Sequence, residues 1–164
     1  SVTITQIQAL RSAHDAGVEV DTSVILRAVR YIKESQDPKT GGVHYTYKTG
    51  KTSAALTAAG ISVLHGSGEY FGPAIELGYD YLRLYLDPNR HEGFFYYTHL
   101  YGVQAMFQRG GPEWASYFPK IRSELLQRLG DRPCWEHRFG RTSATAISLL
   151  ILQVPLRYLP IYQR

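Results

Sequence analysis

The sequence predicts an all-α fold of about seven helices, whose pairs either stack into an open superhelix or close into a ring, and three observations support this class. An apolar helix pattern headed by threonine occurs four times, at Thr5, Thr52, Thr98 and Thr142, with intervals of 47, 46 and 44 residues. Three amphipathic patterns with one charged face lie between the copies. The stretch VHYTYKT at 43–49 alternates only weakly, so it predicts a loop with some extended backbone. A period of roughly 20 to 50 residues is typical of stacked helical units.

The elements follow one another in the order outer helix, loop, threonine-headed helix and glycine stop. Thr22 begins the second helix, with Asp21 or Thr22 as its cap, and proline stands at the first position of two later helices, Pro73 and Pro112. Pro155 is predicted to end the last helix because it cannot donate a backbone hydrogen bond. The predicted single repeat domain, 1–164, consists of an unpaired helix 4–16, repeats 21–66, 72–110 and 112–154, and a tail 155–164.

The two helix types differ in composition. The threonine-headed helices are rich in alanine, glycine and serine, which suits helices packed on several sides. The other three carry charges on one face, as helices exposed to water do. The pattern predicts an inner ring of buried helices and an outer ring. Because the first copy has no helix before it, we expect the chain to be the C-terminal portion of a longer array.

Composition excludes several classes of function. The 18 basic and 14 acidic residues give a net charge of +4, too small and too dispersed to indicate nucleic acid binding. The densest basic region, Arg128 to Arg141, is interpreted as a solvated rim or as the holder of an anionic group. One cysteine, Cys134, excludes an internal disulfide framework and leaves the redox compartment open. No apolar run approaches the ~20 residues of a membrane span, and no signal peptide is visible.

Three loop-and-helix blocks carry a resemblance to a known superfamily: DPKTGGVHYTYKTGKTSAALTAAGISVL, DPNRHEGFFYYTHLYGVQAMF and GDRPCWEHRFGRTSATAISLLIL. Together with the repeat period, they resemble the α/α-toroid superfamily of terpenoid cyclases and protein prenyltransferase β-subunits. The tail QVPLRYLPIYQR is similar to the ends of bacterial prenyltransferase and squalene-oxidase-repeat proteins. The resemblance implies a partial α/α toroid of helical-pair repeats, about 45 residues each, around a cavity for an isoprenoid or a similar lipid.

The catalytic motifs of that superfamily do not transfer to this chain. Hopene cyclases protonate their substrate with a DxDD motif, which the chain lacks, and Asp80 and Asp87 stand alone. Prenyltransferase β-subunits hold zinc through an Asp-x-Cys pair and a later histidine. Here Asp131, Cys134 and His137 have a different spacing.

A candidate binding site is predicted from the loops that lead into the inner helices. Histidine and aromatic residues recur in these loops, and ring-lined cavities hold cations or apolar chains. The candidate ligand-binding residues are His44, Tyr45, Tyr47, His91, Tyr96, Tyr97, His99, Trp135 and Arg141. Glu92, Glu136 and His137 are the candidates for catalysis, the glutamates as general acids if burial raises their pKa. The alternative is that the tyrosines pack between repeats and the polar groups form loop hydrogen bonds.

A zinc site is a further possibility for one of these loops. Asp131, Cys134 and His137 offer three zinc ligand types, and His99 or His91 is a candidate fourth ligand. The alternative is an exposed aspartate, a buried cysteine and a loop histidine, with no cofactor.

Three functional hypotheses follow. The first is a terpenoid-cyclase-like domain that binds an isoprenoid in an aromatic concavity, and the second is a non-enzymatic helical scaffold that binds a protein. The third is a zinc-dependent, prenyltransferase-like enzyme. The apolar side of the helix that contains Thr5 is expected to be exposed together with 2–4, which predicts self-association through this first helix.

Overall fold

The computed structural model describes residues 2–89 and 94–158, and it is mostly helical with one small sheet. The elements in the described residues are α1 (Val2–Asp15), α2 (Thr22–Glu34), β1 (Val43–Thr46), β2 (Thr49–Ser53), α3 (Ala54–Gly66), α4 (Pro73–Tyr85), α5 (Phe95–Arg109), α6 (Gly111–Leu129), α7 (Arg141–Gln153) and a 3-10 helix (Val154–Leu156). These helices correspond to the predicted segments. The chain divides into two compact units, unit 1 (Ser1–Leu86) and unit 2 (Asp87–Arg164). The predicted toroid and its repeat domain stay predictions.

Helix α3 is the centre of unit 1, and it packs against α1, α2, α4 and both strands. Its composition explains the close approach. A side chain on Gly60 would lie 3.2 Å from methyl carbons of both Ile32 and Val43, so glycine lets α2 and the hairpin reach the helix backbone. Ala58 and Ala59 are completely buried for the same reason. The small residues that the sequence pattern singled out therefore form the core of this unit.

The hairpin is a correction to the predicted loop over 43–49. β1 and β2 pair antiparallel, with Val43 opposite Ser53 and Thr46 opposite Thr49, and a register shift lies between His44 and Thr46. Lys48 adopts a left-handed conformation in the turn, with φ of 57°. The strands are short, most of their residues are exposed, and the bulge interrupts the alternation, so the period-2 pattern is weak in the sequence.

The helix heads are a second correction, because threonine is not the first residue of any of the four helices. α3 is capped by Ser53, whose side chain accepts a hydrogen bond from the Leu56 N–H at 3.2 Å, and Thr52 lies in β2. Thr98 lies inside α5, which begins three residues earlier. By contrast, α2 has its predicted cap, since Asp21 accepts from the Ser23 N–H. The recurring threonine therefore does not mark the helix start.

Unit 2 is built around α5, which packs against α6, α7 and the 3-10 helix. Ile121 and Leu125 of α6, Ile151 of α7 and Val154 of the 3-10 helix are completely buried there. α3 and α5 are buried on nearly all sides, whereas α1 and α7 bury only a few residues each. The predicted difference in burial is therefore clear for two of the four threonine-headed helices.

Helix α1 turns its apolar residues into unit 1. Ile4 and Ile7 are buried, whereas Val2, Thr5 and Gln6 are exposed. The surface that was expected to recruit a partner is thus more polar than predicted, and self-association stays a prediction. Within residues 2–89 and 94–158, no helix combines the length and the apolar character needed to cross a membrane.

Candidate functional site

The unit 1 candidates lie on the hairpin. The His44 ring donates a hydrogen bond from Nδ1 to the Gly50 carbonyl oxygen at 2.8 Å, and its Nε2 lies 3.8 Å from Asp37. Tyr45 points into solvent. Tyr47 stacks on Tyr31 of α2, with ring centroids 5.6 Å apart. His44 therefore holds the hairpin together, while Tyr47 forms part of an aromatic surface with a residue that was not among the predicted candidates.

The unit 2 candidates surround a pair of phenylalanines. Phe94, just before α5, and Phe139, just before α7, are 59% and 60% exposed, and their rings stack with centroids 6.1 Å apart. The Arg138 guanidinium carbon lies 4.6 Å from the Phe139 ring centroid and 5.5 Å from that of Phe94. A guanidinium at this distance from an aromatic face is attracted by the ring quadrupole. We call these residues, with Tyr96 and His137 beneath them, the aromatic–arginine patch.

Tyr96 and His137 support the patch from below. The His137 ring packs on Phe139 at 5.0 Å and on the buried Tyr96 ring at 5.2 Å. The Tyr96 hydroxyl donates to the Glu136 carbonyl oxygen at 3.4 Å. Burial, then the charges of Arg138 and Arg128, lower the pKa of His137. Partial burial raises the pKa of Tyr96. Both groups are therefore favoured in their neutral forms, which suits an aromatic support.

Glu136 lies at the edge of the patch in an ion-pair network. Its carboxylate is 3.1 Å from Nε of Arg141 and 4.0 Å from Nη1 of Arg132. The side chain is 48% exposed. The predicted general-acid role of Glu136 depended on burial of its side chain, and this side chain is not buried. The geometry instead makes Glu136 an anchor for two arginines, one of which, Arg141, was a predicted binding residue.

The loop between α6 and α7 is fixed to α6 by Trp135, while Arg128 joins α6 to α5. The buried Trp135 donates from Nε1 to the Leu125 carbonyl oxygen at 2.7 Å. Arg128 of α6 places its guanidinium carbon 3.7 Å from the Phe95 ring centroid, and its Nε donates to the Glu124 carboxylate at 2.8 Å. Trp135 was predicted to bind ligand, but its indole is used in packing. Its role here is to position the patch.

His99 and Tyr97 were predicted to bind a ligand, and the structure places both in packing contacts. His99 is buried, and its Nδ1 lies 2.8 Å from the Tyr117 hydroxyl oxygen. Burial, with a smaller effect of the Arg128 charge, lowers the pKa of His99 to about 3, although Asp87 opposes this. Tyr97 packs its ring against that of Tyr101 at 4.9 Å. These contacts match the packing alternative for both residues.

The predicted zinc ligands do not converge. In the described part of the chain, no three histidine, cysteine or acidic side chains lie close enough to hold a metal ion. Asp131 is exposed, and Cys134 is half-buried. A zinc site at Asp131, Cys134 and His137 therefore stays a prediction without support from the geometry. His91 and Glu92, the remaining candidates, lie outside the described residues.

Phe94 and Phe139 lie in the loops that predicted the site, and Arg138 lies in the basic region, but none of the three was named as a ligand-binding candidate. The sequence did carry a signal for these residues, since aromatic and basic residues cluster in the loops before α5 and α7. Only the fold shows that the two phenylalanines stack.

No family model, no curated protein and no solved structure matches this chain. The resemblance to the terpenoid cyclase and prenyltransferase superfamily therefore stays a prediction from the repeat pattern. Inference about function rests on the chemistry of the chain's own residues.

Proposed function

We propose that this chain is a non-enzymatic helical binding module. Its aromatic–arginine patch would hold an acidic segment of a partner protein that also carries apolar side chains. One observation carries the proposal: Phe94 and Phe139 stack on each other while more than half of each side chain remains exposed. Large apolar side chains that cluster on a surface mark interaction sites, and phenylalanine and arginine are enriched at protein interfaces.

The patch can supply a useful part of a binding free energy. A phenylalanine buries roughly 200 Å², so covering the exposed part of each ring removes roughly 120 Å² from water. At about 25 cal/mol per Å² the two rings would contribute about 6 kcal/mol. Association costs at least about 4 kcal/mol in lost freedom, so the rings alone give weak binding. A second contribution is needed for micromolar affinity.

The arginines around the patch supply that contribution and set the sign of the partner's charge. Arg128, Arg132, Arg138 and Arg141 stand against three carboxylates, Glu124, Asp131 and Glu136, in residues 124–141. The Glu136 carboxylate is already paired with two of these arginines. An acidic segment is therefore complementary to this rim, and complementary charge raises the association rate and selects the partner.

The isoprenoid-binding hypothesis has less support from the same residues. Small-molecule pockets bury about 70–90% of their ligand. Phe94 and Phe139 lie instead on an open surface. The candidate general acid Glu136 is half exposed and forms ion pairs. Isoprenoid binding therefore stays a prediction, and it is an outcome of the experiment below.

The test is a fluorescence-anisotropy titration of the whole chain with a labelled peptide in which leucine and tryptophan alternate with aspartate and glutamate. The same peptide with lysine at every acidic position is the charge control. We expect the acidic peptide to bind at least about tenfold more tightly, with an affinity that falls as salt is raised. Phe94→Ala, Phe139→Ala and Arg138→Gln should each weaken binding.

The matched control is Phe71→Ala, because Phe71 is an even more exposed phenylalanine that lies in unit 1. This variant should bind the peptide as the unchanged chain does. Equal binding of the acidic and basic peptides, or unchanged binding by the Phe139 variant, would contradict the proposal. Binding of farnesyl diphosphate that depends on Phe94 and Phe139, without peptide binding, would favour the isoprenoid hypothesis.

We also propose the α/α-toroid architecture for this chain. The alternation of amphipathic helices with the buried helices α3 and α5 supports it. Small-angle scattering and light scattering test both the curved arrangement and the predicted self-association. A strict monomer at tens of micromolar would count against self-association. Metal analysis of protein purified without chelator tests the zinc prediction.

A further inference from the structure

Unit 1 carries an open groove of about 390 Å³ between helix α2 and the hairpin turn. Its lining residues are Arg27, Arg30, Tyr31, Glu34 and Tyr47. The volume lies within the range of roughly 300 to 1,000 Å³ that small-molecule sites occupy. None of these residues belongs to the aromatic–arginine patch, and the groove is thus a separate feature of the molecule.

Helical spacing places four of the lining residues on one face of α2. Positions 27, 30, 31 and 34 follow the i, i+3, i+4, i+7 pattern, so their side chains point the same way. The hairpin adds Tyr47 at its turn, where the Thr46 hydroxyl donates to the Thr49 carbonyl oxygen at 3.0 Å. Two separate elements therefore form the walls.

The aromatic wall of the groove is held in place by its own contacts. The rings of Tyr31 and Tyr47 are nearly parallel, with an angle of 20° and centroids 5.6 Å apart. The Tyr47 hydroxyl donates a hydrogen bond to the Glu34 carboxylate across the groove. Both tyrosines still expose more than a third of their surface. A flat aromatic ligand would find preformed ring surface here at little conformational cost.

Glu34, the one lining carboxylate, is already paired with two neighbouring side chains. Glu34 accepts from the Tyr47 hydroxyl and from Nε of Arg30 at 2.7 Å, and these bonds lower the pKa of Glu34. The charge of Arg30 is correspondingly shared with Glu34. The Glu34 carboxylate would therefore repel an incoming anion less than an unpaired carboxylate would.

The surroundings of Arg27 differ from those of Arg30, because Arg27 donates to a hydroxyl and Arg30 to a carboxylate. Nη1 of Arg27 donates to the neutral Ser23 hydroxyl at 3.0 Å, whereas the Asp21 carboxylate is held by the Ser23 N–H and hydroxyl, both at 2.8 Å. The guanidinium offers five donors in a planar fork. At the hairpin turn, the Lys48 ammonium lies 4.9 Å from the Tyr47 ring centroid and adds a further positive charge. The groove therefore combines exposed aromatic rings with arginines on the α2 wall and a lysine ammonium near the hairpin turn.

We propose that this groove binds an aromatic phosphate, with its ring against Tyr31 and Tyr47 and its phosphate on Arg27. A phosphate suits the site because it carries up to about two negative charges and three acceptor oxygens, which match a guanidinium fork and a nearby ammonium. The aromatic ring of the ligand would cover the rings of Tyr31 and Tyr47, which a free anion would leave uncovered. The proposal does not depend on the function proposed for unit 2.

The test is isothermal titration of the whole chain with phenyl phosphate, with inorganic phosphate and phenol as the two half-ligands. We expect phenyl phosphate to bind at least about tenfold more tightly than either half. Arg27→Gln and Tyr31→Ala should each weaken it by about tenfold or more. All these side chains are at the surface, and an unchanged circular dichroism spectrum checks that each variant is folded.

Arg83→Gln is the matched control, because Arg83 is an exposed arginine of α4 in the same unit that does not line the groove. It should bind phenyl phosphate within about twofold of the unchanged chain. Equal binding of phenyl phosphate and inorganic phosphate would overturn the proposal, as would full binding by the Arg27 variant. In addition, none of the Arg27 or Tyr31 changes should affect peptide binding at Phe94 and Phe139, so the two proposals fail separately.

Two natural sources of an aromatic phosphate are distinguished by further arms of the titration. One arm uses adenosine monophosphate, and the other uses a phosphotyrosine peptide with its unphosphorylated form as control. Tighter binding of either than of phenyl phosphate supports the proposal and identifies the source. If neither binds more tightly than inorganic phosphate, the proposal is wrong.

Discussion

The Nδ1 atom of His99 lies 2.8 Å from the hydroxyl oxygen of Tyr117, and both side chains are buried in unit 2. Burial has opposite effects on the two pKa values, since it lowers that of His99 to about 3 and raises that of Tyr117 well above its ordinary value. Both changes favour the neutral form. The pair is therefore a neutral polar contact between α5 and α6 over the whole physiological range.

The first prediction concerns the stability of the chain in acid. In the unfolded chain His99 takes up a proton near the ordinary histidine pKa of 6.5, whereas in the folded chain it does so only near 3. The unfolded state binds more protons in this window, so the free energy of unfolding falls as pH falls from about 6.5 to 3. The slope from this one group is about 1.4 kcal/mol per pH unit. Urea unfolding at several pH values measures it.

The control for that prediction is His99→Gln, which has no titrating group at this position. Its free energy of unfolding should fall less steeply with acid between about pH 6.5 and 4.5, where the carboxylates with lowered pKa remain ionised in the folded chain. An equal slope in both proteins would contradict the prediction. A nuclear magnetic resonance titration should also find no protonation of the His99 ring in this range.

The second prediction concerns the partner of that histidine. Tyr117→Phe removes the hydroxyl and leaves Nδ1 of the buried His99 without its hydrogen bond. Such a loss costs roughly 1 to 3 kcal/mol. Tyr158→Phe is the control, because Tyr158 is an exposed tyrosine of the same unit. The two variants are compared by the midpoint of thermal unfolding, and a similar midpoint for both would refute the assigned role of Tyr117.

The third prediction concerns Arg11, which binds the C-terminal end of α3. Its Nη1 donates to the Gly66 carbonyl oxygen and lies 3.5 Å from that of His65. A cation at this position pairs with carbonyl oxygens at the end of the helix and interacts with the helix dipole. Arg11→Met keeps the aliphatic stem and should destabilise the chain by about 1 to 2 kcal/mol. Arg122→Met, at an exposed position of α6, should leave the unfolding midpoint unchanged.

The helices were predictable because their information is local. Apolar residues at helical spacing, together with Gly-Pro starts and the Asp21 cap, define α2, α4 and α6 closely. The hairpin was not predictable, because its bulge and its exposed positions erase the alternation. The Thr57 hydroxyl accepts from the Val43 N–H at 2.9 Å and so attaches the hairpin to α3. That contact joins residues 14 positions apart, and no local pattern reveals it.

The candidate site was predictable in its parts but not in its arrangement. Among the predicted candidates, Tyr96, Glu136 and His137 lie together in the structure. Which aromatic residues stay exposed depends on how the loop after α6 packs, and Trp135 decides this through its bond to α6. The α2 face was interpreted as a solvated outer surface, because a helical pattern cannot show that Tyr47 folds over it.

The last prediction compares two glycines of unit 1 that share a left-handed backbone. Gly41 and Gly68 have φ of 80° and 87°, so a side chain is strained at both positions by roughly 1 kcal/mol or more. The surroundings differ. A Cβ on Gly41 would lie 2.0 Å from the carbonyl oxygen of Leu77 in α4, whereas a Cβ on Gly68 would meet nothing within 4 Å. Nε2 of Gln36 donates both to the Gly41 carbonyl oxygen at 2.9 Å and to that of Ala74 in α4 at 2.8 Å, which holds the loop against α4.

Gly41→Ala should therefore destabilise the chain much more than Gly68→Ala, because it adds a clash with the α4 backbone to the same conformational strain. We expect a cost of about 1 kcal/mol for Gly68→Ala and at least about 3 kcal/mol for Gly41→Ala. Urea unfolding of both variants measures the difference, and the Gly68 variant accounts for the effect of φ alone. Equal costs would mean that the loop at Gly41 does not lie against Leu77 of α4.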